Sequence, residues 1–198
     1  MTEEIYIVSA PSGAGKTSVI EHVMDALPRL AFSVSHTTRP RRDGEVDGED
    51  YTFVSEEAFD ALVRSGAFVE HTVYSGARYG TTRGQLEDAF AHGNDVILNV
   101  EIEGAASLRR AGLGDHPIVY VFLAPSTLDR LANRLRSRGT EPEEKIRERI
   151  AVAAREMNAL DAFDYLVIND DLADAVSELA GIVTAERARL FGKARRSL

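Results

Sequence analysis

Residues 5–17 read Ile5-Tyr6-Ile7-Val8-Ser9-Ala10-Pro11-Ser12-Gly13-Ala14-Gly15-Lys16-Thr17, and this stretch decides the fold. Ile5 to Val8 is an unbroken β-branched and aromatic run, the pattern of a strand covered on both faces of a parallel sheet. Downstream, Val19, Ile20, Val23, Met24 and Leu27 recur at helical spacing. The Gly-rich segment therefore joins a buried strand to an amphipathic helix. Gly13 and Gly15 permit left-handed backbone angles that turn amide N–H groups inward, and with the helix N-terminus these groups surround an anion. Ala10 to Thr17 follows the pattern G-x-x-x-x-G-K-[ST] with Ala10 in the first glycine position, which costs little if its φ is negative. In that pattern the lysine, here Lys16, reaches the terminal phosphates of a nucleoside triphosphate, and the hydroxyl after it, here Thr17, takes magnesium.

Three further apolar runs, Val96 to Leu98, Ile118 to Leu123 and Tyr165 to Ile168, each precede a helical pattern. Strands alternating with helices predict an α/β fold, a parallel sheet flanked by helices. The stretch from about Ser33 to Arg83 differs. Its strand-like pieces, Phe32 to Ser35, Tyr51 to Val54 and Phe68 to Val73, are short and punctuated by Asp43-Gly44, Asp47-Gly48 and Ser75-Gly76. This predicts an inserted β-rich lobe over 33–83, leaving 1–32 and 84–198 as the core. Within the lobe Ser55 is placed to cap a helix that faces Phe59, Leu62 and Val63 inward and stops at Gly66. Thr82-x-x-Gln85 and Thr140-x-x-Glu143 have capping-box form and open two more helices, the first ending at Gly93.

Composition narrows the chemistry. The chain has 198 residues, enough for one domain or one domain with a smaller insertion, and a hydrophobic fraction of 44% argues against disorder. With 32 acidic against 23 basic residues, the net charge of −9 argues against a surface built for nucleic-acid phosphates or anionic lipid. The absence of cysteine removes disulfides, thiolate nucleophiles and Cys-containing metal sites. No run is long enough for a signal h-region or a spanning helix, so the reading is of a cytoplasmic protein.

Ser9 to Thr17 is followed, in order, by Phe32-Ser33-Val34-Ser35-His36-Thr37-Thr38-Arg39, Gly44-Glu45, Gly48, Tyr51, Phe53, Tyr79-Gly80, Arg138-Gly139-Thr140 and Asn169-Asp170-Asp171. Together these resemble the guanylate kinase family of P-loop nucleoside monophosphate kinases over nearly the whole chain. The resemblance implies a P-loop core, a GMP-binding lobe at 33–83 and an Arg-bearing lid at about 134–148. It also implies direct in-line phosphoryl transfer from ATP, with Mg2+, to GMP or dGMP, as part of purine nucleotide metabolism.

Residue by residue, the resemblance implies that Pro11, Ser12, Gly13, Ala14, Gly15, Lys16, Thr17 and Ser18 bind ATP together with Asn169, and that Thr17 holds the metal. Ser35, Arg39, Arg42, Tyr51 and Tyr79 match the residues that grip the GMP phosphate, and guanidiniums with hydroxyls suit a dianion. Glu70 and Thr81 match the guanine readers; a carboxylate accepts from guanine N1–H and the exocyclic amine together, a pattern adenine lacks. Lys16, Arg134, Arg138 and Arg149 match the residues that, by the resemblance, carry catalysis by stabilising the phosphoryl group in flight. Independently of the resemblance, Arg130, Arg134 and Arg138 recur at i, i+4 and share a helix face, where like charges point to an anionic partner. The bland alternative pairs that face with Glu141, Glu143 and Glu144.

Two departures stand out. The family carries an acidic residue, a spacer, an Asp and Gln-Gly where this chain has Asn99-Val100-Glu101-Ile102-Glu103-Gly104. Strand alternation puts Asn99 and Glu101 on one face. The resemblance implies that Glu101 stands in for the Asp that approaches the guanine amine, serving the base or the metal shell, and that Asn99 replaces the carboxylate holding water on magnesium with a neutral hydrogen bond. In Arg39-Pro40-Arg41-Arg42 the proline stands one position early, and Arg42 keeps the expected distance to Gly44-Glu45. His36 reads as a structural histidine. No catalytic base is needed, because this transfer depends on alignment and charge stabilisation. The implied partners are the nucleotides ATP and GMP. Two other functions remain open on the residues: a copy acting on a modified purine nucleotide, and a non-catalytic phosphopeptide-binding module, whose phosphate loop would be degraded.

Overall fold

The run Ile5 to Val8 forms, with Ser9, a central strand in which every residue is buried. In this computed structural model, which describes residues 3–137, 139 and 142–189, the elements of the core are β1 (Ile5–Ser9), α1 (Lys16–Ala26), β2 (Leu30–Ser33), α3 (Arg83–Ala91), β7 (Asp95–Asn99), α4 (Ile102–Ala111), β8 (Ile118–Ala124), α5 (Leu128–Ser137), α6 (Glu143–Glu156), β9 (Tyr165–Ile168) and α7 (Leu172–Ala188). A second sheet contains β3 (His36–Thr37), β4 (Thr52–Phe53), β5 (Phe68–Tyr74) and β6 (Ala77–Thr82), with α2 (Glu56–Arg64) alongside.

The core sheet has the order β2-β7-β1-β8-β9, and each neighbouring pair is parallel. Alternation along β1 sends Tyr6 and Val8 to one face, against Val19 and Val23 of α1 and Leu179 and Val183 of α7. Ile5 and Ile7 go to the other, against Leu86 of α3 and Leu108 of α4. Burying each such aliphatic side chain contributes about 1.5–3 kcal/mol, which is why the strand reads as a continuous apolar run. From β1 the chain crosses outward to β2, and from β7 it crosses to β8 on the other side of β1. The C-terminal end of β1 thus lies where the direction of winding reverses, the usual ligand crevice of such sheets.

The second sheet has the order β4-β3-β6-β5. Its hairpin turns at Ser75 and Gly76, with φ of 50° and 80°, as a tight β-turn matched to strand twist requires. Two strand expectations need correction. The piece Phe32 to Ser35 divides: Ser33 ends β2 in the core sheet, and β3 begins at His36 in the other. Strand β6, absent from the sequence reading, lacks alternation and is held by antiparallel pairing with both β3 and β5. Gly80 within it is required by packing, since a Cβ there would lie 2.8 Å from the Phe68 ring.

Helix α2 starts as expected, with Ser55 Oγ accepting from the Ala58 N–H at 3.2 Å. The first capping box does not form. Thr82 is the N-cap of α3, but its side chain makes no cap bond. Gln85 instead donates to the Val34 carbonyl at 2.7 Å and accepts from Ser33 Oγ at 3.1 Å, tying α3 to the crossing between sheets. Helix α6 begins at Glu143 with Pro142 as N-cap, and Thr140 lies outside the described residues. Among the described residues no helix is long and apolar enough to cross a membrane.

Candidate functional site

The loop after β1 adopts the conformation its glycines permit. Gly13 and Gly15 take φ of +88° and +87°, and a Cβ on them would meet Leu135 Cδ2 at 2.8 Å and Asn169 Nδ2 at 2.7 Å. Apart from glycines, only Arg29 and Ser75 among the described residues have positive φ, so Ala10 meets the condition set for it and lies buried in the core. The Ala14 N–H donates to the Pro11 carbonyl at 3.0 Å, closing the turn.

Around this loop the chain's own groups are already paired. Lys16 Nζ donates to the Val100 carbonyl at 2.8 Å, which Ser9 Oγ also reaches at 2.9 Å. Burial lowers the Lys16 pKa, opposed by the carboxylates of Glu101 and Glu156. Asn169, buried just past β9, donates through Nδ2 to the Ala14 carbonyl at 2.7 Å. Arg134 reaches the same carbonyl at 3.3 Å and the Asp170 carbonyl at 3.0 Å. Thr17 and Ser18 stand exposed in the first turn of α1.

The described arginines of α5 are divided among different partners. Arg134 meets the loop, Arg130 pairs with Asp170 at 3.2 Å, and Arg136 pairs with Glu143 at 2.7 Å. Arg138 lies outside the described residues. Arg149, on α6, is near enough to lower the pKa of Tyr74.

Two residues at the loop escaped the sequence reading. The Ser12 N–H donates to Glu156 Oε2 at 3.4 Å, so a carboxylate occupies part of the anion-binding surface. The Tyr74 hydroxyl hydrogen-bonds to the Ser12 side chain, and burial with the nearby charges of Glu101 and Glu156 pushes its pKa up to about 12. Tyr74 ends a strand and Glu156 ends a helix. Nothing in their spacing separates them from ordinary surface residues.

Opposite the loop, Arg39, Tyr51 and Tyr79 come together. Arg39 makes a two-pronged ion pair with Glu45 at 2.7 and 3.0 Å, lies 5.3 Å from the Tyr51 ring centroid and hydrogen-bonds with Tyr79. The Tyr51 and Tyr79 rings are 5.9 Å apart, edge to face. Ser35 is buried and its carbonyl accepts from the Thr52 N–H at 3.0 Å. Arg42 is exposed at the rim, its N–H donating to Glu45 at 2.7 Å. His36 lies against Phe68 with a centroid distance of 5.8 Å and burial lowers its pKa, but its Nδ1 is buried with no hydrogen-bond partner among the described residues, so it is not the satisfied structural histidine expected.

Glu70 and Thr81 are register partners on β5 and β6. Thr81 Oγ1 donates to Glu70 Oε1 at 2.8 Å, while Oε2 is buried with no hydrogen-bond partner among the described residues. Burial, with Glu101 adding to it, pushes the Glu70 carboxyl from its ordinary 4.5 up to about 7. An orphaned buried carboxylate oxygen is costly, and a ligand offering an N–H pair relieves that cost.

Glu101 lies beyond the strand and has no strand face. Strand β7 ends at Asn99, and Glu101 is instead the N-cap of α4, because the Val100 carbonyl is taken by Lys16 and Ser9 and the chain turns into the helix. Its charge nevertheless acts on Lys16, Tyr51, Glu70 and Tyr74, which puts it between the loop and the pocket opposite.

The guanylate kinase family model matches residues 2–186. A guanylate kinase from Syntrophotalea carbinolica is 43% identical over 185 residues, covering 93% of this chain and 87% of that protein. Another, from Desulfotalea psychrophila, is 43% identical over 186 residues, covering 94% and 91%. The crystal structure of guanylate kinase from Anaplasma phagocytophilum superposes with a TM-score of 0.78 at 29% identity, covering 95% of this chain and 88% of that one. Likeness that runs through the loop, both sheets and the helices carrying the arginines reaches well beyond a shared nucleotide-binding core, and the chain belongs to the guanylate kinase family.

Proposed function

We infer that this protein transfers the γ-phosphoryl group of MgATP to GMP or dGMP, yielding ADP and GDP or dGDP. Glu70 carries the reading: a buried carboxylate with one oxygen satisfied by Thr81 and the other without a partner among the described residues is complementary to the N1–H and 2-amino edge of guanine. Adenine presents no such pair and would leave the acid unpaired. Family membership supports the same reaction.

In this assignment Arg39, Tyr51, Tyr79, Ser35 and Arg42 hold the acceptor phosphate, Arg39 exchanging Glu45 for a more highly charged partner. Backbone N–H groups from Ser12 to Thr17 cradle the donor phosphates, with Lys16 leaving the Val100 carbonyl to neutralise them. Asn169 braces the loop beside the adenosine. Arg134, Arg138 and Arg149 spread charge-assisted hydrogen bonds over the moving phosphoryl group. An oxygen of GMP phosphate forms the new P–O bond as the bond to the ADP oxygen breaks, in line and without an enzyme-bound intermediate.

The exposed hydroxyl of Thr17 fits magnesium, a hard cation that takes oxygen ligands, and the amide of Asn99 stands at the neighbouring strand end. When bound, magnesium neutralises charge developing on the phosphates. The sheet region 33–83 acts as the acceptor lobe and the segment about 134–148 as the lid; their closure excludes water that would otherwise take the phosphoryl group.

The test is ADP formation from MgATP with GMP, dGMP, IMP and AMP, with Lys16→Ala as control. Turnover on GMP and dGMP, weak on IMP and absent on AMP and in the control, is the expected result. Equal turnover on AMP removes the reading.

A further inference from the structure

Glu70 reaches its position across an unusually thin wall. The carboxylate lies against α4, and the residue facing it there is Gly104, buried in the first turn of the helix. A Cβ on Gly104 would stand 2.9 Å from Glu70 Oε2 and 3.6 Å from both the Glu70 carboxyl carbon and Val100 Cβ. The φ of Gly104 is not positive, so backbone conformation does not demand glycine there. What demands it is the room taken by the carboxylate.

The side chain has little freedom to give way. Its other oxygen is held by Thr81 at 2.8 Å, the residue is 7% exposed, and Val69 beside it packs into the core beneath α4. A methyl at position 104 would therefore swing Oε2 about the Thr81 hydrogen bond and misdirect the oxygen that has no partner among the described residues.

Resting on the assignment of Glu70 as the guanine reader, we propose that Gly104 is a specificity-determining positioning residue, whose missing side chain seats the Glu70 carboxylate with Oε2 aimed at the 2-amino edge of the acceptor base. The residue touches no substrate and acts through Glu70 alone. Its replacement should raise the KM for GMP and erode the preference for GMP over IMP, which lacks the 2-amino group.

Steady-state kinetics on Gly104→Ala, Glu70→Gln, Glu70→Asp and the double variant Gly104→Ala/Glu70→Asp test this. For Gly104→Ala the KM for GMP is expected to rise about tenfold and the GMP-to-IMP preference to shrink, with the KM for MgATP holding. Alanine is the better helix former, which protects α4. The shorter acid supplies a rescue: Glu70→Asp should impair GMP use in the native background yet improve it, or restore folding, in the Gly104→Ala background, a coupling a merely structural glycine would not produce. If Glu70→Gln impairs GMP use while Gly104→Ala behaves as native, the positioning role is overturned. If Glu70→Gln is itself neutral, the guanine-reader assignment fails and the role of Gly104 falls with it.

Discussion

At the phosphate loop, Lys16 Nζ, the Ala14 carbonyl and the Ser12 N–H all have partners within the chain, whereas across the crevice Glu70 Oε2 has none among the described residues. The loop's shape is set by two left-handed glycines and braced by Asn169 and Arg134, so it persists without a nucleotide. The acceptor pocket instead holds an unmet desolvation cost that the correct base relieves. A phosphate offers the same oxygens on any nucleotide, so the donor side gains from being rigid and general. A base edge differs between purines, so the acceptor side gains from being unsatisfied until the right one arrives.

The largest way to break this comparison is on the donor side. Lys16→Ala should lower kcat by about a thousandfold or more, because charge developing in the transition state loses its nearest cation. Its melting temperature should stay close to native, since among the described residues the ammonium makes one hydrogen bond, to the Val100 carbonyl. A control that melts early would show that Lys16 braces the fold as well.

Glu70→Gln should lower kcat/KM for GMP by about thirtyfold, with a smaller effect on IMP. The same variant should be more stable than native at pH 8. The folded carboxyl sits at about 7 against an ordinary 4.5, so the cost of burying its charge grows as pH rises from 4.5 and is complete above 7. Relief of that cost is worth about 1–3 kcal/mol and is read as a higher melting temperature at pH 8 that disappears near pH 4. Gain of stability with loss of guanine recognition is the signature of a pocket strained for function; loss of both would make Glu70 an ordinary structural acid.

The smallest effect sharpens the loop side. Glu156 lends a carboxylate to the Ser12 N–H. Glu156→Gln should lower the KM for MgATP about twofold, as a competing anion leaves the loop. An unchanged KM would show that this contact yields without cost.

These regions also differ in what the sequence revealed. The loop and its strand were legible because each residue there answers to a local rule: period and burial for Ile5 to Val8, positive φ for Gly13 and Gly15. Strand β6 was not, because Ala77 to Thr82 has no alternating pattern of its own and is held by hairpin pairing with β5 across Ser75-Gly76 and by β3, far earlier in the chain. Ser33 was assigned to the wrong sheet because the alternation of Phe32-Ser33-Val34-Ser35 runs on unbroken while the pairing changes from β7 to β4 and β6. Glu101 was given a strand face it does not have, since the demands of Lys16 and Ser9 on Val100 end the strand first. Tyr74 and Glu156 carried no signal, their roles depending on where a strand and a helix happen to end.

The most direct measurement is calorimetric proton release on GMP binding at pH 6.5, in buffers of different ionisation enthalpy, for the native protein and Glu70→Gln. With the free carboxyl at about 7, roughly three-quarters of it is protonated at that pH and must ionise to accept from guanine. Glu70→Gln cancels the contribution of the nucleotide phosphate from the comparison. The account requires the native protein to release about 0.7 proton more than the variant. Equal release from both would contradict it, showing that guanine binds without calling on the buried acid.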